Sequence, residues 1–540
     1  MKKIQYLFAT IILGLAFTSC LDQSPEGGVL TEEQHQGLAN RLEYDLRGIY
    51  TKIYEYGGHS TFGLRSIDMY GDIQCGDMAM KRNSYGWFED YERGYFYAYA
   101  RSYIWSYNYE IIHLANLSER SIENEVDSIM KIMADESTPD EVYALTGYCY
   151  GQILALRGWA YANLLNVYCD ARDANSTDLD QVNAMPIYTG KDLKTPDGRD
   201  TLGAPLSTVA EVYSRVYEDL SEAIDLLNYY GKYNTRESKL NIDADVARMI
   251  LAYAMLNHGD KNEIIADGKN CYTIAQELAE TVIPKYPILK FEELTSTGFA
   301  NIQATNWLWG EEVSVENSTA LGSFFGQVDI HSYSYAAAGD TKGIDSKLYD
   351  EIVATGWDAR KNWFRSGTEK FPYCPDGKFY SPKYKNTTDI TKVDREWLCD
   401  QVFMRVEVAY LIAAEAAWNN GDATGAANHL IALCNERVDK NDSTAYANYQ
   451  TWLGNLNSSD AVKDALVYNW RVEMWGEGYG LQTLRRLAKK VTLGKNHLSR
   501  ADAEINTEDA NTAEQFMCEI PASEIRYNPT LSSMYNLQHQ

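Results

Sequence analysis

Apolar residues recur at spacings of three and four through most of the chain, a period that admits little besides amphipathic α-helix. From Ile153 one stripe runs through Leu156, Ala160, Leu164 and Val167. A second runs through Val209, Val212, Tyr213, Val216, Leu220, Ala223, Ile224 and Leu227, with Ser207 as its expected N-cap. A third takes in Met404, Val408, Leu411 and Ile412, breaks at Asn419-Asn420-Gly421-Asp422, and resumes at Ala426, Ala427, Leu430, Ile431 and Cys434. Glycine among asparagine and aspartate stops one helix and turns the chain into the next, so 404–437 is expected to be a helical hairpin.

Small residues in "YLIAAEAAWNNGDATGAANHLIALCNER" fall where two antiparallel helices must approach closely, and the segment resembles a tetratricopeptide repeat. Stretches 140–168, 207–228, 243–258 and 267–283 read as further arms of such hairpins. One repeat cannot bury its own apolar face, so several should stack as a solenoid. Helical period is lacking over 57–93, 170–205, 284–402 and 492–540, where Gly, Pro, Ser and Asp mark loops and short strands. The expected fold class is therefore mostly α: a tetratricopeptide-like helical-hairpin scaffold with long inserted loops and a few short strands. Long loops on a rigid scaffold usually carry function.

The N-terminus predicts export. Lys2 and Lys3 precede an apolar stretch from Ile4 to Phe17, then small Thr18 and Ser19 lead to Cys20 and the acidic "LDQSPE". That stretch is too short to span a bilayer, which takes roughly 20 apolar residues. It is similar to bacterial lipoprotein signals, which implies cleavage before Cys20 and lipidation of that cysteine. The expected organisation is a signal peptide over 1–19, lipidated Cys20 with a tether over 20–40, and one body over 41–540. That body would draw its helical scaffold from 95–168, 207–283, 403–437 and 460–490, and its ligand-face loops from 57–93 and 284–402.

A formal net charge of -27 argues against nucleic acid or anionic lipid as the partner and suits a neutral or cationic ligand. The cysteines after Cys20 are scattered without a CxxC pair, so neither a zinc ribbon nor a disulfide scaffold is indicated. Cys149 and Cys169 fall on one expected helix, about 30 Å apart, too far to bridge. The cysteines read most simply as buried small hydrophobes. The 41 tyrosines against 14 phenylalanines exceed what a purely structural core would favour, because a buried phenol needs a partner for its hydroxyl. Some of those rings are expected to face solvent or ligand.

Landmarks across nearly the whole chain then resemble one family. "YIWSYNYEIIHLAN" carries Trp105, Tyr109, Ile112, Ala115 and Asn116 in a W-x-x-x-Y-x-x-I-x-x-A-N pattern. "LRGWAYANLLNVYCDARD" is followed by "MPIYTG", and then come "EVYSRVYEDLSEAIDLL", the 404–437 hairpin, "RVEMWGEGYGLQTLRRL" and "EIPASEIRYNPTL". With "LDQSPEG" after the cysteine, this order resembles the SusD/RagB family of nutrient-binding surface lipoproteins. Gly480 and Thr483 stand where many members carry Arg and Asp. The resemblance implies an outer-membrane, lipid-anchored protein facing the cell surface. It would capture oligosaccharide or polysaccharide and deliver it to a SusC-like TonB-dependent transporter docked largely by the repeat scaffold. The RagB branch implies a peptide ligand instead, and a lid without its own ligand site is a further reading.

Catalytic signatures are not found: there is no HExxH, GxSxG, P-loop or GxGxxG, and no cofactor or metal site is expected. An enzyme, a surface glycoside hydrolase, would need two carboxyl groups across one bond, but adjacent Glu311 and Glu312 would point to opposite faces of a strand. Arg471, Glu473 and Glu477 read as a structural ion-pair network.

Sugar recognition wants an aromatic plane for the C–H face of the ring and polar side chains for its hydroxyls. Region 57–93 offers Asp68, Asp72, Asp77, Lys81, Arg82, Asn83, Tyr85, Trp87, Phe88 and Tyr91, while "SFFGQVDIHSYSYAAAGD" offers Phe324, Phe325, Asp329, His331, Tyr333, Tyr335 and Asp340. The resemblance suggests that the two stretches face each other across a shallow site. Trp87 and Tyr333 are the expected stacking platforms, with Arg82, Asp72 and His331 as hydrogen-bonding rim and Tyr85 and Tyr335 beside them. The same residues admit a packing role: Trp87 or Phe88 under the loop, Asp68 to Asp77 capping turns or holding a cation, and His331 to Tyr335 as a half-buried strand.

Overall fold

A computed structural model of the chain describes residues 32–93, 98–169, 180, 182–188, 203–234, 239–260, 262–295, 297–314, 317–319, 321–331, 333–379, 399–508 and 516–532. Cys20 and the expected signal lie outside them. Helix α1 (Glu32–Ile53) already occupies the end of the stretch expected as tether.

Helices dominate the described residues. α2 (Leu64–Cys75), α3 (Ala98–Ser121), α4 (Glu141–Tyr168), α5 (Val209–Tyr230), α6 (Ala244–His258), α7 (Cys271–Val282), α8 (Glu407–Asn419) and α9 (Ala423–Cys434) come first, and α10 (Ser459–Glu473) and α11 (Gly480–Arg486) follow. From α4 to α9 each helix packs on the next, and α1 and α3 lie against α4. This is the stacked-hairpin scaffold that the stripes predict.

Close approach in the stack depends on missing side chains. A Cβ at Gly147 of α4 would lie 2.5 Å from the Tyr230 ring of α5, and one at Gly158 would lie 2.8 Å from Leu220. Arg157 of α4, buried in the same interface, is held bidentately by Asp219 of α5 at 2.8 and 2.9 Å. The eight cysteines after Cys20 are all buried and unbridged, behaving as small hydrophobes.

Short antiparallel strand pairs link the insertions to the scaffold: β1 (Met78–Met80) with β5 (Lys342–Ile344), β2 (Asn183–Pro186) with β3 (Leu206–Thr208), and β4 (Trp307–Glu311) with β6 (Gln401–Arg405). Two residues of the Trp105–Asn116 pattern grip the segment around β2. The Tyr109 hydroxyl donates to the Pro186 carbonyl at 2.7 Å, and the Asn116 amide to that of Tyr188 at 2.8 Å.

Three local expectations are corrected. Ser207 lies in β3, and Thr208 caps α5 through a reciprocal capping box with Glu211. Met404 belongs to β6, which the partner β4 holds extended, so the hairpin's first helix starts at Glu407. Region 57–93 is not devoid of helix, because α2 runs through it. Asp68, Gly71 and Asp72 interrupt the apolar stripe of α2, yet they face a buried polar neighbour rather than water.

That neighbour is the segment after α10. Asp72 accepts the Gly476 N–H at 2.6 Å, Arg65 donates to the Gly476 carbonyl at 2.6 Å, and Asp77 pairs with Arg471 at 2.6 Å. A Cβ at Gly480 would meet the Asp77 carboxylate at 2.5 Å and the Cys75 sulfur at 2.7 Å, so a large residue has no room there. Glu473 and Glu477 anchor a fully buried network. Glu473 takes Arg437 and Arg405 at 2.7 Å and Arg360 at 3.1 Å; Glu477 takes Arg405 and Lys378 at 2.9 Å. The guanidinium groups hold the Glu473 carboxyl well below its usual range against the opposing effect of burial. These groups are sealed from solvent and mutually neutralised, a structural arrangement.

Candidate functional site

The two stretches expected to face each other do meet, at a tight turn the sequence reading left out. Tyr56 and His59 flank Gly57-Gly58, where the chain doubles back through a bridge between Gly58 and Thr61. The His59 carbonyl accepts from Gln327 at 2.8 Å, and the Gln327 side-chain oxygen accepts from the buried Lys342 ammonium at 2.7 Å. Burial pushes that ammonium's pKa down to about 8. The turn is thus pinned to α-helical Phe324–Val328 and to β5 together.

Upon this base sits a cluster of rings. The Tyr335 hydroxyl and His59 Nδ1 are 3.0 Å apart, in hydrogen-bond contact. His59 tilts over Trp87 with centroids 5.1 Å apart, and Tyr335 meets His59 edge-on at 5.6 Å and Tyr85 at 4.9 Å. Tyr56 stands edge-on to His59 at 6.0 Å. Its ring also covers Gly322, where a Cβ would come within 2.1 Å. Around Tyr335 lie Tyr56, Tyr85 and Tyr333, close enough to raise its phenol pKa further above the value that burial already elevates.

Exposure separates platform from support. Tyr56, Tyr85 and Tyr333 keep 49, 54 and 47 % of their surface in water, whereas Tyr335 keeps 8 % and Trp87 is half-buried. Phe88, not Trp87, plugs the core, stacked near Tyr70 and capped by Lys342. Three solvated tyrosines on a hydrogen-bonded aromatic floor can receive the C–H faces of sugar rings and offer hydroxyls at their edges.

The polar rim comes out differently. Arg82 is exposed and donates to the Ser84 hydroxyl at 3.0 Å. The Tyr85 N–H is fixed by buried Asp340 at 2.8 Å, which aims the 81–87 segment. Asp72 is a correction: it is buried against Gly476 and cannot face a ligand, and burial beside Asp77 raises its carboxyl pKa well above the ordinary range. His331 bonds to Asp376 at 2.5 Å, and Asp376 also takes Arg365 at 3.1 Å, so this imidazole belongs to a separate ion-pair cluster. His331 and Tyr333–Tyr335 are not in a strand: Tyr335 donates its N–H to Gly326, and Asp340 returns one to the Tyr335 carbonyl, so turns set Tyr333 outward and Tyr335 inward.

Glu311 is half-buried and its neighbour Glu312 is exposed. Burial, with Asp400 nearby, pushes the Glu311 pKa up to about 7. Among the described residues no group of three or more His, Cys, Asp or Glu side chains is placed to hold a metal ion. Tyr56 and His59, the residues missed, carried one usable signal: a Gly-Gly turn between aromatic side chains.

Residues 33–251 match a family described as starch-binding and associating with the outer membrane, and residues 353–537 match the SusD family. No curated protein matches the sequence. Among solved structures, a SusD-like carbohydrate-binding protein from Bacteroides vulgatus is 21 % identical with a TM-score of 0.63, covering 92 % of this chain and 97 % of its own. A SusD superfamily protein from Bacteroides thetaiotaomicron is 18 % identical with a TM-score of 0.66, covering 91 % and 98 %. Another from Bacteroides fragilis is 20 % identical with a TM-score of 0.65, covering 91 % and 98 %.

Proposed function

From the premise that the chain belongs to the SusD/RagB family, we propose that it is a surface lipoprotein that binds oligosaccharide or polysaccharide and delivers it to a SusC-like TonB-dependent transporter. Its lipid anchor would be Cys20, holding the body at the outer membrane, with the helical stack as the transporter-docking scaffold. The observation that carries the reading is the set of exposed rings of Tyr56, Tyr85 and Tyr333 around Tyr335 and His59. A protein gains nothing in stability by leaving three large rings in water on one face, whereas a glycan gains flat apolar contact there.

Tyr85 and Tyr333 are assigned as stacking platforms, with Tyr56 beside them, Trp87 and Tyr335 as the floor and Arg82 as hydrogen-bonding rim. His331, engaged by Asp376 in its own cluster, is left out of the assignment. The site is proposed to bind without bond cleavage: its exposed groups are phenols and a guanidinium, neither of which supplies the paired carboxyl groups that glycoside hydrolysis requires. Titration of the protein against soluble polysaccharides and peptide digests, with product analysis, tests this reading. Saturable glycan binding without product supports it; binding of peptides alone transfers the site to a peptide ligand.

A further inference from the structure

A cleft of about 380 Å³ opens over the β1–β5 ladder, lined by Arg82 and Gly339 from the two segments that also carry Tyr85 and Tyr335. Its lining includes the rung of the β1–β5 ladder where Ala79 faces Gly343, two residues too small to fill it. Gly343 is required there by close approach, since a Cβ would lie 2.6 Å from the Tyr373 carbonyl.

Charge sets this cleft apart. Lys81 and Arg82, which follow directly on β1, and Lys495 line it, and all three are exposed. Among the described residues none of the three makes an ion pair, and no carboxylate lines the cleft. In a chain with 76 acidic against 49 basic residues, three cations around a concavity with no carboxylate among its described lining run against the bias of the composition. The nearby Asp345 is buried and already engaged, accepting the N–H groups of Gly494 at 2.6 Å and Leu348 at 3.0 Å and meeting His497 at 3.2 Å.

The cleft and the rings draw on the same two segments, 81–87 and 333–341. Arg82 precedes Tyr85 by three residues, and Tyr85 is tied to Asp340. A Cβ at Gly339, whose φ of +106° already favours glycine, would stand 3.1 Å from the Arg82 guanidinium. A polymer lying on Tyr85 would therefore extend past Arg82 into the cationic cleft.

We propose that this cleft is an anion subsite and that the ligand is an acidic polysaccharide, with a carboxylate or sulfate on the sugar ring held by Lys81, Arg82 and Lys495. The proposal rests on the glycan reading of the aromatic site and narrows it. Charge-assisted hydrogen bonds from the three cations to such a group favour the charged polymer over its neutral counterpart by about tenfold.

Calorimetric titration with matched pairs tests it: polygalacturonate against its fully methyl-esterified form, and dextran sulfate against dextran. The expected result is preference for the charged member of one pair, which also distinguishes carboxylate from sulfate. That preference should fall about tenfold in Arg82→Gln and in a Lys81→Gln/Lys495→Gln variant, and weaken as salt rises from about 50 mM to about 500 mM. Coincident thermal unfolding of parent and variants checks that the fold is intact. Equal binding of charged and neutral partners, insensitive to these substitutions, overturns the anion subsite while leaving the aromatic site standing. Failure of every polysaccharide, neutral or charged, overturns both.

Discussion

Tyr335 and His59, 276 residues apart in sequence, share a hydrogen bond of 3.0 Å beneath the exposed tyrosines. That bond joins the turn after α1 to the insertion between β4 and β5, so the floor of the proposed site holds two distant loops in register. Tyr335→Phe keeps the ring that Tyr85 and His59 pack against and deletes only the hydroxyl. The expected cost is about 1 kcal/mol in chemical unfolding. Glycan affinity should fall with it, because His59 and Tyr85 lose their fixed orientation; Tyr335→Phe with unchanged affinity would mean that the floor does not position the platforms.

Glu473 carries three guanidinium groups in a site without water access. Glu473→Gln leaves those cations underpaired, and the expected loss is about 3–5 kcal/mol, as for breaking a buried ion pair from one side. Urea unfolding measures it. A loss below about 1 kcal/mol, the level of exposed pairs, would contradict the network's structural role.

His497 lies buried between Glu92 and Asp345, 3.2 Å from each, with Arg500 3.4 Å from the same Glu92 oxygen. Hydrogen bonds to those carboxylates raise its pKa above 6.5 despite burial. The native state therefore retains a proton that the unfolded state gives up, so this stabilisation is complete below about pH 6.5 and lost as pH rises through the folded value. The stability difference between parent and His497→Gln should shrink from pH 6 to pH 8, the other titrating groups being common to both proteins. A difference that grows with pH would show that His497 is held neutral.

The scaffold was legible because its helices bury one continuous apolar face, as in α5, whose stripe runs unbroken from Val209 to Leu227. α2 was not, since Asp72 answers the backbone N–H groups of Gly476 and Gly478, some 400 positions later, and Asp68 pairs with Arg65, which itself donates to the Gly476 carbonyl. The same blindness placed Asp72 on the rim. Tyr85 and Tyr333 were readable as loop aromatics near each other, but the division between exposed Tyr333 and buried Tyr335 depends on turns closed by Gly326 and Asp340. Tyr56 and His59 escaped notice because their role comes only from contact with Gly322, Gln327 and Tyr335.

The most direct test of the central claim is calorimetric titration of residues 21–540 with a polysaccharide panel, comparing the parent with Tyr85→Ala and Tyr333→Ala. Both rings are about half exposed, so their removal should leave thermal unfolding nearly unchanged. The account predicts saturable glycan binding without product, weakened about tenfold or more in each variant through loss of the stacking surface. Glycan binding that survives both substitutions undiminished would contradict it and place the ligand elsewhere on the molecule.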